Sequence, residues 1–466
     1  MAKTHQLWLC VLLLFLCINL DGVGGGGLFH VQHKYGRDID RAVDNLRIHD
    51  ENRHGRAGIS FPIAGDGKAT GTGLYYTKIG IGNPSSDYYV LVDTGSVTSW
   101  VDCFGCNKCP TESSLGIKLR LYNPKTSLSA VTCEPSDKRC KYRVDYGDGS
   151  STDGYLVSDL LWFDQVSGNL ATMSANARII FGCGINQTGN LVSSRSFDGL
   201  FGFGASSSSM VSQLASSGKS KKKFAHCLDS KNGGGIFVIG DVVQPALQTT
   251  PLVSNSSHYK VITNSIQVGD VIISNGDSKE TIIDCGSTLA YLPGTLLEQL
   301  KQAVYARQAN LNIYLSEDLF ECFHFNMSID EFFPTVTFAF DSAKVDVFPH
   351  DYLIAHENEQ YCLGWLDSKR IKFVDDSILL GDLALSNKLV VYDLDNRILG
   401  LSAYDCSSTI GLRDEDTGDI NQVAGRNLSS ADDHHQQDIS SASAPYHSDS
   451  GKLITVFILS FSVYFL

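Results

Sequence analysis

The chain has 466 residues, 43 % of them hydrophobic and 19 % charged, which is enough apolar material for one or two large cores and speaks against disorder over the central part. Its formal net charge of −14 excludes nucleic acid as an expected partner, because the phosphates would be repelled. At this length two domains or two lobes are expected.

From the N-terminus, Lys3 precedes an apolar run from Leu7 to Leu20 that breaks at Asp21 and at Gly24 to Gly27. This reads as a signal peptide over residues 1–23. The run is shorter than the roughly 20 residues that span a bilayer, so an uncleaved anchor is the lesser alternative. Residues 24–71 mix Lys34, Arg37, Asp38, Asp40, Arg41, Arg47, Glu51, Arg53 and Arg56 at partly helical spacing. They read as a pro-segment, with a solvated linker as the alternative. From Gly73 onward short apolar stretches alternate with Gly, Asn, Asp and Ser, as in Leu74 to Ile79, Tyr88 to Val92, Gly235 to Ile239 and His258 to Val268. Only Ser209 to Ser216 and Thr295 to Ala309 keep a helical period, so the expected class is all-β with a few short helices.

Two stretches carry chemistry. In Val90-Leu91-Val92-Asp93-Thr94-Gly95-Ser96 an apolar strand runs into an acidic turn, and Ile282-Ile283-Asp284-Cys285-Gly286-Ser287 repeats the pattern 191 residues later. A single Asp-Thr-Gly is ordinary turn chemistry. Two copies, about one lobe apart, suggest two like loops that meet and bring Asp93 and Asp284 together.

Cysteine usage points to the secretory pathway. Without Cys10 and Cys17 of the leader, eleven of the thirteen cysteines remain, which predicts disulfides and one unpaired thiol. Cys103, Cys106 and Cys109 have a spacing that zinc could use, but no histidine lies nearby and an oxidising compartment favours bridges. Sequons at Asn186, Asn255, Asn326 and Asn427 agree with secretion. After Cys406 the strand pattern is expected to stop, and residues 407–452 read as a polar stalk. Leu453 to Leu466 is apolar or small, and the small residues Ser440, Ser441, Ala442 and Ser443 lie about ten positions upstream, the layout of a glycolipid-anchor signal. A tail-anchored membrane span is the rival reading.

On these motifs the chain resembles the pepsin-family aspartic proteases, in particular the plant type that carries a glycolipid anchor. Besides the two Asp loops, Tyr146-Gly147-Asp148-Gly149-Ser150 is similar to the family's flap. Phe197-Asp198-Gly199-Leu200-Phe201-Gly202 and Ile378-Leu379-Leu380-Gly381-Asp382 are similar to the strands that brace each Asp loop. The resemblance implies a two-lobed, β-rich fold with lobes over 72–250 and 251–406 and a cleft between them. It implies peptide-bond hydrolysis by a water held between Asp93 and Asp284, one acting as base and the other as acid. Thr94, Gly95, Ser96, Gly286 and Ser287 would support the catalytic loops, and Trp100 would hydrogen-bond the flap residue Tyr146.

Cys285 departs from the pattern, standing where the family has Ser or Thr. It is also the best candidate for the odd thiol. The implied function is an aspartic endopeptidase at the extracellular face of the plasma membrane, acting as a monomer on peptide or protein substrates. No cofactor or metal is expected. A weakened or silent protease fold that binds peptides or proteins is the alternative.

Overall fold

The computed structural model describes residues 58–65, 73–133, 140–193, 197–244, 246–308, 310–316, 320–372, 374 and 376–425. The expected signal peptide, most of the pro-segment, the sequon at Asn427, the anchor-attachment residues and the apolar tail lie outside them.

Alternating burial builds the first lobe. In strand Tyr75–Ile81 every second side chain faces the core, and in Ser86–Asp93 the buried set is Tyr88, Val90, Val92 and Asp93. A period-two pattern with one apolar face folds in this way. These strands belong to a 14-stranded sheet that includes a long hairpin of two 18-residue strands, Ser151–Gly168 and Ala171–Thr188. The second lobe is built on a seven-stranded sheet and a four-stranded sheet. Its main helix, Gly294–Tyr305, buries Leu296, Leu297, Leu300 and Val304 on one stripe. A shorter helix, Met210–Ser216, lies in the first lobe. The molecule is therefore all-β and two-lobed with a few short helices, as the resemblance implied.

Three boundaries differ from expectation. Ile59–Gly65, assigned from sequence to the leading segment, is a strand inside the large sheet, paired with Gly235–Ile239 on one side and Tyr75–Ile81 on the other. Ile59, Phe61 and Ile63 are buried, so a short apolar alternation was hidden behind a charged stretch. The described lobe thus begins at Gly58, not 72.

The strands also do not stop at Cys406. Thr409–Arg413 and Ile420–Ala424 form a hairpin that pairs with Asp241–Val243, burying Ile410, Leu412 and Val423. The period-two apolar residues there are few enough to be masked by polar neighbours.

The lobe boundary near 250 is not a clean division either. Gln248–Pro251, Lys388–Asp393 and Ile398–Ala403 join the sheet of the first lobe through Lys223–Leu228. The Cys227–Cys406 bridge fastens this shared region. Four further bridges, Cys103–Cys183, Cys106–Cys109, Cys133–Cys140 and Cys322–Cys362, leave Cys285 as the free cysteine among the described residues. The three cysteines whose spacing resembled a zinc site are thus all engaged in disulfides.

Candidate active site

Asp93 ends strand Ser86–Asp93, which lies parallel to the bracing strand Gly199–Gly202. Asp284 directly follows strand Val271–Ile283, which lies parallel to Ile378–Leu380. Each carboxylate is thus carried past a strand end by a two-strand brace. Close approach requires glycine in these braces, since a Cβ on Gly199 would collide with the Trp100 carbonyl and one on Gly381 with the carbonyls of Ser287 and Leu289.

The two loops are held alike. Asp93 Oδ1 accepts from the backbone N–H of Gly95 at 2.7 Å and of Ser96 at 3.0 Å, and Oδ2 accepts from the Ser96 hydroxyl. Asp284 Oδ1 accepts from the Gly286 N–H at 2.9 Å, and Oδ2 accepts from the Ser287 hydroxyl at 2.7 Å.

The loops cross over each other. A Cβ on Gly95 would stand 2.7 Å from Asp284 Oδ2, and one on Gly286 would collide with Asp93 Oδ1. Each glycine therefore makes room for the opposite carboxylate, and the two Asp side chains share one site. Both residues are only 7 % exposed. Burial first, and the charge of Asp284 second, push the Asp93 carboxyl up to about 7, against the hydrogen bonds from Ser96 and Gly95. A second carboxylate so close favours the protonated form of Asp93.

Beneath the carboxylates the two loops are tied unequally. The Thr94 hydroxyl donates to the Ile283 carbonyl at 3.4 Å and accepts from the Cys285 N–H at 3.0 Å. The return contact is the Cys285 thiol, 3.9 Å from the Val92 carbonyl, a weak donor at long range. Burial and the nearby Asp382, Asp284 and Asp93 raise the thiol well above its usual range.

Over the site lies the hairpin of Lys141–Asp145 and the start of Ser151–Gly168, with Tyr146 to Ser150 at its tip. Trp100 Nε1 donates to Tyr146 Oη at 2.7 Å. The Gly147 carbonyl accepts from the Lys372 N–H at 3.0 Å, so the tip reaches across to the second lobe.

These geometries are accompanied by similarities to known proteins. The family models described as "Xylanase inhibitor N-terminal" and "Xylanase inhibitor C-terminal" match residues 75–241 and 258–403. Aspartic proteinase 36 of Arabidopsis thaliana is 44 % identical over 88 % of this chain and 90 % of its own length. The chain belongs to the plant branch of the pepsin-like aspartic proteases. Aspartic proteinase 39 of Arabidopsis thaliana is 39 % identical over 91 % of this chain and 94 % of its own. Among solved structures, conglutin gamma from lupine seeds superposes with a TM-score of 0.59 at 20 % identity, covering 75 % of this chain and 95 % of the conglutin, a likeness of fold.

Within this aspartic-protease frame the structure adds residues that the sequence motifs did not single out for a role. Asp382 is buried, neither carboxylate oxygen has a hydrogen-bond partner, and burial together with Asp284 and Asp93 holds it well above the usual carboxylate range. It sits one residue past the bracing Gly381, so its place in the motif was a usable signal. Tyr392 is fully buried, and its hydroxyl lies 3.1 Å from His226 Nε2. Nothing local in the sequence announces that pair, because the two residues come from strands far apart in the chain. The sequons at Asn186, Asn255 and Asn326 are all exposed.

Proposed function

We propose that the protein is an aspartic endopeptidase that hydrolyses peptide bonds with a water held between Asp93 and Asp284. The observation that carries this reading is the crossed packing of the two loops, in which each glycine leaves space for the other loop's carboxylate. With one proton on the pair, the ionised carboxylate takes a proton from the water as it attacks the peptide carbonyl. The protonated carboxyl donates to the carbonyl oxygen, so the tetrahedral intermediate forms without separated charge. Collapse returns a proton to the leaving nitrogen and regenerates the pair. Tyr146 closes over the bound peptide with Trp100 as its docking partner, and the hairpin tip shields the site from water. Peptides or proteins are the substrates, and one copy of the chain contains the whole dyad.

The same reading puts the enzyme in the secretory pathway, with glycans on its exposed sequons and a glycolipid anchor attached near Ser440 to Ser443. Five disulfides support the oxidising compartment. Among the described residues no helix is long and apolar enough to cross a membrane. Release by a phospholipase that cuts glycolipid anchors tests the attachment, and mass-spectrometric detection of residues 453–466 in the membrane-bound protein would refute it.

A second reading, a weakened or silent fold that binds peptides or proteins, is favoured by Cys285 and by the inhibitor description of the matching family models. The deciding experiment is cleavage of a denatured protein at acid pH, with and without a transition-state-mimicking peptide inhibitor. Asp93→Asn and Asp284→Asn should each lower the rate by about 10²–10⁴-fold or more, since either removes an acid–base partner. Equal cleavage by either variant would sink the aspartic mechanism.

A further inference from the structure

The bridge Cys106–Cys109 closes a two-residue loop, Cys-Asn-Lys-Cys, just after the strand that begins at Trp100. It differs from its neighbour Cys103–Cys183, whose two cysteines are fully buried. Cys106 and Cys109 are both half-buried, Phe104 beside them is 69 % exposed, and nothing lies within 4 Å of where a Gly105 side chain would stand. This bridge is thus the more exposed of the two.

Beside them is the buried carboxyl group of Asp102. Asp102 is 3 % exposed, and its carboxylate oxygen and both sulfurs all lie within 4.8 Å of one another. Asp102 Oδ1 accepts from Gln187 Nε2 at 2.6 Å, and no cation pairs with it among the described residues. The other titrating groups that face it are Asp198 and Tyr142. Burial pushes the Asp102 carboxyl up to about 8 despite the Gln187 bond.

We infer that Cys106 and Cys109 form an exchangeable dithiol–disulfide couple that reacts with external thiols, with Asp102 as its proton donor and acceptor. In the reducing direction the thiolate of an external thiol attacks one cysteine sulfur. The Cys106–Cys109 bond breaks, a mixed disulfide forms, and the released cysteine sulfur takes the proton of Asp102. A second external thiolate attacks the mixed disulfide, leaves as the oxidised external disulfide and frees the second cysteine, which takes its proton from solvent. Two external thiols are oxidised and one protein disulfide is reduced. In the oxidising direction the Asp102 carboxylate takes the proton from a cysteine thiol, and the resulting thiolate attacks the mixed disulfide. Exchange is faster where the sulfur is accessible and where the leaving thiolate is readily neutralised, and an acid placed beside the pair serves the second condition.

The test is reduction of the full-length folded protein in glutathione buffers, with alkylation and mass spectrometry to follow each bridge. At about pH 7, Cys106 and Cys109 should be labelled about ten-fold or more faster than the buried pairs Cys103–Cys183 and Cys227–Cys406. Asp102→Asn should slow labelling of Cys106 and Cys109 without changing that of Cys133–Cys140, whose Cys133 is also exposed. If that variant does not fold, the wild-type protein still decides. Its rate constant per glutathione thiolate should fall as pH rises through about 8, where Asp102 loses its proton. Labelling no faster than at Cys103–Cys183, or a rate constant per thiolate that is flat with pH, would overturn the couple.

Discussion

Cys285 occupies the one place beneath the carboxylates where a hydroxyl would complete a symmetric tie. Its thiol is buried and stands 3.9 Å from the Val92 carbonyl, whereas Thr94 both donates and accepts across the loops. A buried hydrogen bond is worth on the order of 1–3 kcal/mol, and about 1.4 kcal/mol realised in the transition state is a factor of ten in rate. Cys285→Thr should therefore raise kcat about ten-fold, measured on any peptide the wild-type protein cleaves. An unchanged kcat would mean that the thiol already positions the loop. The same burial predicts slow alkylation of Cys285 in the folded protein, because the surrounding carboxyl groups disfavour the thiolate.

Two elements outside the Asp loops determine how the site is built and closed. The hairpin tip is hydrogen-bonded to Lys372, and a Cβ on Gly147 would stand 2.6 Å from Ile371 Cγ2. Gly147→Val should keep the tip from seating and lower kcat/KM about ten-fold, with the unfolding midpoint of the body unchanged. A full loss of folding would show that the tip is structural.

Strand Ile59–Gly65 supports the first loop from behind. Phe61 is buried with its ring 5.2 Å from that of Phe201, which lies in the brace beside Asp93, and 6.2 Å from that of Phe237. Phe61→Ala should cost about 3–5 kcal/mol of stability, read by denaturant unfolding. A change under about 1 kcal/mol would mean that the site had collapsed around the truncation or that the strand is dispensable.

For the molecule as a whole, pH acts through buried acids. The folded state holds Asp93 at about 7 and Asp102 at about 8, above the ordinary value of a carboxyl group. A raised carboxyl binds its proton in the folded state after the unfolded chain has lost it. Its stabilisation is complete below the unfolded value and disappears as pH rises through the folded value. His226, lowered to about 3 by burial, acts oppositely, but only up to about pH 6.5, where the unfolded imidazole has lost its proton. Between about pH 6.5 and 8 the acids dominate, and the net charge of −14 adds repulsion of the same sign. Thermal unfolding midpoints should therefore fall across that window. A flat or rising midpoint would mean that these carboxyl groups are ionised in the folded protein.

The sequence by itself determined the repeated Asp loops, the glycines they need, the β-rich class, the two main helices and the odd cysteine, since each is written in local periodicity or composition. It also carried the flap motif, whose Tyr146 meets Trp100 across 46 residues. Tertiary structure alone decided what depends on backbone pairing over long separations. Ile59–Gly65 became a core strand because Gly235–Ile239 and Tyr75–Ile81 offered it two edges. Thr409–Arg413 became a paired strand because Asp241–Val243 offered it one edge and Ile420–Ala424 the other. The crossing of Gly95 and Gly286 onto the opposite carboxylates and the burial of Asp382 near them, which raises its carboxyl well above the usual range, belong to this second class. Burial and mutual distance create those properties, and neither exists until residues far apart in the chain are packed together.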